Sequence, residues 1–145
     1  MSDDDRLFPA RPILAVSAAV FRDGRALLAR RARAPWAGAF SLPGGGVELG
    51  ETLAAAAARE LKEEVGIEAD IAAFVAHVEP IAREAERVKT HFVIAVFAAH
   101  WRRGEPRLSD EVAEIAWVDA RALGDRPTTP ELPAILARAA ALFGL

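Results

Sequence analysis

The stretch GGVELGETLAAAAARELKEEVGI, Gly45–Ile67, decides how this chain folds. Where it begins, Pro43–Gly46 cannot continue a regular element, because proline lacks a backbone donor and glycine leaves the backbone permissive. From Thr52 onward the residues are strong helix formers, and Gly66 is a natural end for a helix. The stretch therefore predicts a loop that can approach a ligand closely, followed by a helix.

The predicted helix has an apolar side and an acidic side. Its apolar residues recur every four positions and are expected to be buried: Leu53, Ala57, Leu61 and Val65. The carboxylates of Glu60, Glu63 and Glu64 fall on adjoining parts of one surface, where they repel one another and oppose the helix dipole. Such a cluster is a suitable set of hard oxygen ligands for Mg²⁺ or Mn²⁺. On the helix alone, a solvated face in which Arg59 pairs with Glu63 and Lys62 compensates charge is the simpler interpretation.

The rest of the chain reads as strands and one further helix. The predicted strands are Ile13–Phe21, Ala26–Arg30, Phe40–Leu42, Ile71–Val78, His91–His100 and Ile115–Val118. Asp23 and Gly24 predict the hairpin turn between the first two strands. Arg31–Gly38 and the charged segment Arg83–Lys89 predict loops. A closing helix is predicted over Leu132–Leu142, beginning near Thr128–Thr129–Pro130.

Length and charge limit the classes of function. With 145 residues, 52% of them hydrophobic, we expect one domain over residues 11–145 after a flexible N-terminal segment, residues 1–10. The formal net charge of -3 argues against nucleic acid or an anionic membrane as a partner. The chain has no cysteine, and Met1–Arg6 is acidic where a secretory signal would be basic, so we expect a cytoplasmic protein. The composition is compatible with a monomer or a homodimer.

The wider pattern around the helix resembles the catalytic signature of the Nudix hydrolases. Gly45 is followed after five residues by Glu51, and after seven more by RELKEEVGI, Arg59–Ile67. Agreement at this many fixed positions disfavours the solvated-face interpretation. The resemblance implies an α/β (α+β) fold, a Nudix-type α/β/α sandwich with a mixed sheet between helices. It also implies an enzyme that hydrolyses phosphoanhydride bonds of a small-molecule nucleotide.

The same resemblance implies catalytic roles for residues of the signature. Mg²⁺, with Mn²⁺ as a possible substitute, would be bound by Glu60, Glu63, Glu64 and the carbonyl of Gly44. Glu51 would lie close to the metal, and Arg59 would orient a neighbouring glutamate. Glu114 resembles a downstream glutamate that approaches the metal in many relatives. The general base is left open among Glu51, Glu64, Glu111 and Glu114.

Residues outside the signature are candidates for binding substrate. They are Arg30, Arg31, Phe40 and Glu131, with Trp36 and Phe92 as further aromatic residues. The arginines could hold a substrate phosphate at the end of a strand, or they could simply be exposed there. The aromatic residues could stack on a base, although aromatic residues in a small domain more often form core. The glutamate lies where some relatives recognise the base, and a plain helix cap explains this segment equally well.

The overall layout resembles the short bacterial ADP-ribose pyrophosphatase-like branch of the family, through Arg30–Gly46 and the pair Glu105 and Pro106. Such an enzyme converts ADP-ribose to AMP and ribose 5-phosphate. Pro80 departs from the branch, whose ADP-ribose-specific members often carry a proline slightly further beyond the signature. A MutT-like pyrophosphohydrolase of normal or oxidised nucleoside triphosphates is the alternative, because it uses the same metal site. A non-catalytic nucleotide sensor is an alternative from another class, disfavoured because all the signature acids are present.

Overall fold

The structure is a computed structural model and describes residues 6–145 of the chain. Its strands are β1 (Ile13–Arg22), β2 (Arg25–Arg31), β3 (Phe40–Ser41), β4 (Gly44–Gly46), β5 (Glu68–Val78), β6 (Ile81–Glu84), β7 (Arg87–Arg103) and β8 (Val112–Val118). Its helices are α1 (Leu53–Val65) and α2 (Leu132–Leu142). β1 and β7 run parallel and the other strand pairs run antiparallel, so the sheet is mixed. Neither of these helices is long and apolar enough to cross a membrane.

The helices α1 and α2 cover opposite faces of the sheet. Successive side chains of a strand point to opposite faces. In β1, Ala18 and Val20 therefore pack in the same cluster as the buried residues of α1, whereas Ala19 and Phe21 pack with those of α2. The sandwich with a mixed sheet between helices, which the resemblance implied, is confirmed.

Helix α1 begins and ends where the sequence predicts. The Thr52 hydroxyl accepts a hydrogen bond from the backbone N–H of Ala55 at 3.1 Å, which satisfies a donor that has no partner within the helix. Gly66 ends the helix in the left-handed conformation, with φ 75°. The buried residues are Ala56, Ala57, Leu61 and Val65, and Leu53 is half-buried. The predicted apolar stripe is thus confirmed in most of its positions.

The glycine-rich segment is a strand, so the prediction that Pro43–Gly46 could not continue a regular element is wrong. β4 pairs with β1 in antiparallel register, with Gly44 opposite Ser17. A Cβ atom on Gly44 would collide with backbone atoms of Val16 and Ser17, so the two strands approach this closely only because the residue is glycine. The pairing holds the glycine-rich segment beside α1.

Two other local predictions are also wrong. The charged segment Arg83–Lys89 belongs largely to a hairpin of β6 and β7, in which Ile81 pairs with His91 and Glu84 with Arg87. Its charges are mostly exposed on the hairpin surface, so the segment lacks the hydrophobic pattern of a buried strand. The helix-cap interpretation of the segment before α2 fails as well, because the cap position is Glu131 and makes no side-chain capping bond.

Part of the N-terminal segment contacts the rest of the chain. Residues 1–5 of the predicted flexible segment lie outside the described residues. The backbone N–H of Phe8 donates to the carbonyl of Lys89 at 2.8 Å, and the guanidinium of Arg87 lies over the Phe8 ring, 4.0 Å from its centroid. These contacts attach the chain at Phe8 to the start of β7.

Candidate active site

The guanidinium of Arg59 joins α1 to the glycine-rich segment. Its Nε donates to Glu51 Oε2 at 3.0 Å, and its Nη2 donates to Glu51 Oε1 and, at 2.9 Å, to the carbonyl of Gly46. The backbone N–H of Glu48 also donates to Glu51 Oε1, at 2.8 Å. These hydrogen bonds, first from Arg59 and then from Glu48, lower the pKa of Glu51 to about 2. Glu51 is therefore an ionised carboxylate with both oxygens occupied.

The same arginine binds two glutamates of α1. Its Nη1 donates to Glu60 Oε1 at 2.9 Å and to Glu63 Oε2 at 3.0 Å. The Glu60 carboxylate lies directly under Gly45, where a Cβ atom would overlap it. Burial raises the pKa of Glu60, although the hydrogen bond from Arg59 opposes that rise. Gly45 thus leaves the space that the Glu60 carboxylate occupies.

Glu64 binds the backbone of the glycine-rich segment. The N–H of Gly44 donates to Glu64 Oε2 at 2.7 Å. Burial raises the pKa of Glu64 to about 7, and the negative charges of Glu111 and Glu60 add to the rise, while the hydrogen bond from Gly44 and the charge of Arg31 oppose it. The site therefore holds more negative charge than its partially buried surroundings favour.

The chemistry of this donor set suits a hard divalent cation. Carboxylate oxygens of Glu60, Glu63 and Glu64 border one cleft, and the raised pKa values of two of them show that added positive charge there would be stabilising. Within residues 6–145, however, no three acidic or histidine side chains converge closely enough to enclose a metal ion. In this arrangement Arg59 bonds Glu60 and Glu63, whereas Glu64 accepts from the backbone N–H of Gly44.

Two cavities meet at these carboxylates. The acidic cleft, of about 470 Å³, is bordered by Glu48, Arg59, Glu60, Glu63, Glu64 and Glu111. The apolar cavity, of about 390 Å³, is bordered mainly by strand and α2 side chains such as Ile81, Phe92, Ile94, Val96 and Ile135. Both are lined by Arg6, Arg33, Gly45, Gly46, Glu64 and Glu111. A ligand could therefore extend from one cavity into the other.

Most of the predicted substrate residues border the apolar cavity. They are Arg30, Arg31 and Glu131, together with Trp36 and Phe92. Phe40 does not: it is 5% exposed and packs in the core cluster beneath α2. Burial lowers the pKa of Arg31, whose Nε donates to the carbonyl of Pro35 at 2.7 Å, so this arginine is held by the loop that follows β2.

The two downstream glutamates occupy different places. Glu114 lies opposite Arg30 in the β2–β8 pairing, forms an ion pair with it at 3.7 Å and lines neither cavity. Glu111 lines both cavities and forms an ion pair with Arg6 at 3.8 Å. The register of β8 shifts by one residue between these two positions, so a count along the sequence could not rank them.

The sequence analysis missed Thr90, Arg6 and Arg33 as lining residues, whereas Thr129 lies in the segment before α2 where some relatives recognise the base. Thr90 and Thr129, 5% and 8% exposed, are the buried polar residues of residues 6–145, and both border the apolar cavity. Arg6 and Arg33 border both cavities. The polar Thr90 at the start of the apolar run of β7 was a usable signal, whereas nothing in the sequence indicates where Arg6 lies.

Comparison with known proteins identifies the family. The model of the NUDIX domain matches residues 11–139. An "ADP-ribose pyrophosphatase" of Methanocaldococcus jannaschii is 32% identical over 108 residues, which are 74% of this chain and 62% of that protein. A "Putative 8-oxo-dGTP diphosphatase 2" of Mycobacterium tuberculosis is 39% identical over 119 residues, 81% of this chain and 80% of that protein. The crystal structure of a MutT Nudix hydrolase from Burkholderia pseudomallei matches with a TM-score of 0.78 and 35% identity, covering 88% of this chain and 98% of that one.

This chain therefore belongs to the Nudix family. It is a hydrolase that acts on phosphoanhydride bonds. Members of the family act on small nucleotides and generally use divalent metal ions.

The raised pKa of Glu64 predicts how stability depends on pH without metal. Between its ordinary value of 4.5 and about 7, the folded protein retains a proton that the unfolded chain has released. The free energy of unfolding should therefore fall as pH rises through this window, by at most about 3 kcal/mol. Denaturant unfolding in EDTA at several pH values measures the fall, and Glu64→Gln should remove most of it.

Glu86→Gln is the matched control, because Glu86 is exposed on the β6–β7 turn. Its unfolding curve should follow that of the wild type at every pH. Equal pH dependence in the wild type and in Glu64→Gln would show that burial does not disfavour the Glu64 carboxylate.

Proposed function

We propose that this enzyme is a Mg²⁺-dependent pyrophosphohydrolase of nucleoside diphosphate derivatives, with ADP-ribose, cleaved to AMP and ribose 5-phosphate, as the first candidate substrate. The observation that carries the proposal is the junction of the two cavities at Glu64, Gly45 and Gly46. The acidic cleft offers oxygen ligands for a cation that a diphosphate can share, and the apolar cavity has room for a base. The relative from M. jannaschii, named as an ADP-ribose pyrophosphatase, supports this substrate.

A MutT-like reaction on a nucleoside triphosphate is the second candidate. The mycobacterial relative, whose name refers to 8-oxo-dGTP, aligns over more of this chain and at higher identity than the relative from M. jannaschii. Both reactions need the same carboxylates and differ in what the nucleotide carries beyond its second phosphate. The apolar cavity suits a base in either case, because Thr90 and Thr129 place hydroxyls beside its apolar side chains.

The proposed metal ligands are Glu60, Glu63 and Glu64, with the Gly44 carbonyl beside them. A bound divalent cation supplies charge neutralisation for the phosphate oxygens. Arg59 positions the ligands, since it already holds Glu60 and Glu63 from one side and the loop residue Glu51 from the other.

Glu111 is the proposed general base. A general base needs an oxygen that is free to receive a proton from the attacking water. Glu51 is a poor base, because its pKa is about 2 and both its oxygens accept hydrogen bonds. Glu64 is a proposed metal ligand, and its carboxylate already accepts from the N–H of Gly44. Glu114 points elsewhere and pairs with Arg30. Glu111 borders both cavities, where it can take a proton from the water that attacks phosphorus as the phosphoanhydride bond breaks.

Turnover of a nucleotide panel tests the proposed activity. Wild-type protein with Mg²⁺ should hydrolyse ADP-ribose or a nucleoside triphosphate, and EDTA should abolish the reaction. Glu63→Gln and Glu64→Gln should each lower kcat/KM by about 100-fold or more, because each removes a ligand charge without removing volume. Glu86→Gln should leave turnover unchanged.

The panel should contain ADP-ribose, the common and oxidised nucleoside triphosphates, and nucleotide sugars, with products identified by mass. Binding of a panel nucleotide without any turnover would support the sensor interpretation and refute the proposed activity. Near-wild-type turnover by Glu64→Gln at saturating Mg²⁺ would refute the metal role of that residue.

Two variants that replace a glutamate by glutamine, Glu111→Gln and Glu114→Gln, test the assignment of the base. Glu111→Gln should lower kcat by about 100-fold or more with little change in KM, because proton transfer by a positioned group contributes that much. Glu114→Gln should change kcat by less than about 3-fold, since a surface ion pair contributes little. A larger loss of kcat in Glu114→Gln than in Glu111→Gln would instead assign the base to Glu114.

A further inference from the structure

Arg6 lies at the junction of the two cavities. Its side chain is 23% exposed and borders both the acidic cleft and the apolar cavity. Its guanidinium forms an ion pair with Glu111 at 3.8 Å, longer than a hydrogen bond. The residue precedes β1 and is not part of the catalytic signature.

Contacts of Phe8, two residues further along the chain, position Arg6 at this junction. The backbone of Phe8 bonds to Lys89, and the Phe8 ring lies under the guanidinium of Arg87. Lys89 directly precedes Thr90, which borders the apolar cavity. The chain around Phe8 is therefore anchored to the rim of the same cavity into which Arg6 projects.

The charges at the junction suit a diphosphate. Glu64 and Glu111 contribute negative charge there, and Arg6 and Arg33 contribute positive charge. A diphosphate that spans the junction brings several further negative charges. Arginine is suited to such a ligand, because its planar guanidinium can donate two parallel hydrogen bonds to phosphate oxygens.

We propose that Arg6 is a substrate-binding residue, whose guanidinium leaves Glu111 to bind a phosphate oxygen of the nucleotide at the junction of the two cavities. The inference rests on the proposed function, since it assumes a phosphate-bearing substrate in this site. The segment around Phe8 then has the role of positioning a substrate-binding residue at the cleft. It also couples substrate binding to Glu111, because the exchange of partners releases the Glu111 carboxylate.

Kinetics of Arg6→Gln test the assignment. KM for each panel nucleotide that the wild type hydrolyses should rise about 10-fold to 100-fold, as for loss of a hydrogen bond to a charged group, while kcat changes by less than about 3-fold. Arg11→Gln is the matched control, because Arg11 is an exposed arginine that also precedes β1 and lines neither cavity. It should behave as the wild type.

A second variant tests the anchoring. Phe8→Ala keeps the guanidinium of Arg6 but removes the ring that Arg87 covers, so KM should rise by a smaller factor than in Arg6→Gln.

A KM for Arg6→Gln within about 2-fold of the wild-type value, or an equal rise in Arg11→Gln, would overturn the proposal. Thermal unfolding of each variant confirms that the protein remains folded.

Binding of inorganic pyrophosphate in the presence of Mg²⁺ separates this inference from the proposed function. If the wild type hydrolyses no panel nucleotide, the proposed function fails, and calorimetry with pyrophosphate still decides the role of Arg6. An affinity reduced about 10-fold or more in Arg6→Gln supports the binding role. Equal affinity in both proteins, or no binding to the wild type, overturns it.

Discussion

The site depends on one side chain, the guanidinium of Arg59. Through hydrogen bonds to Glu51 and Gly46 it fixes the loop, and through hydrogen bonds to Glu60 and Glu63 it fixes the acidic face of α1. Without this cation, neighbouring carboxylates on one helix would repel one another across a short distance. The arginine therefore organises the ligand set and partly neutralises it. It does not bond Glu64, whose pKa is raised to about 7 by burial first and by the charges of Glu111 and Glu60 next.

Local sequence predicted the parts of this arrangement that local interactions determine. The helix α1 and its end at Gly66 follow from helix propensity and capping chemistry, whereas the mixed sheet between helices was implied by the family resemblance. The clustered glutamates were also visible from spacing. The glycine-rich segment was misjudged, because its strand pairing arises from close approach to β1, which Gly44 alone permits.

Other features depend on contacts between distant parts of the chain. An extra residue in β8 shifts the register and separates Glu111 from Glu114, and no pattern in the sequence predicts such a bulge. The sequence around Phe40 is compatible with a side chain that faces a ligand and with one that faces the core. The position of Phe40 in the sheet places it in the core beneath α2. Arg6 lies at the cleft two residues before Phe8, whose backbone bonds to Lys89 in β7. These positions required the assembled fold.

The central claim is that the α1 glutamates together bind a divalent cation beside the glycine-rich strand. A crystal soaked in Mn²⁺ and measured at the manganese absorption edge tests it most directly. The account predicts an anomalous peak within about 2.5 Å of carboxylate oxygens from Glu60, Glu63 and Glu64, with the first two turned away from Arg59. A peak elsewhere, or no peak while these carboxylates keep their bonds to Arg59 and Gly44, would contradict it.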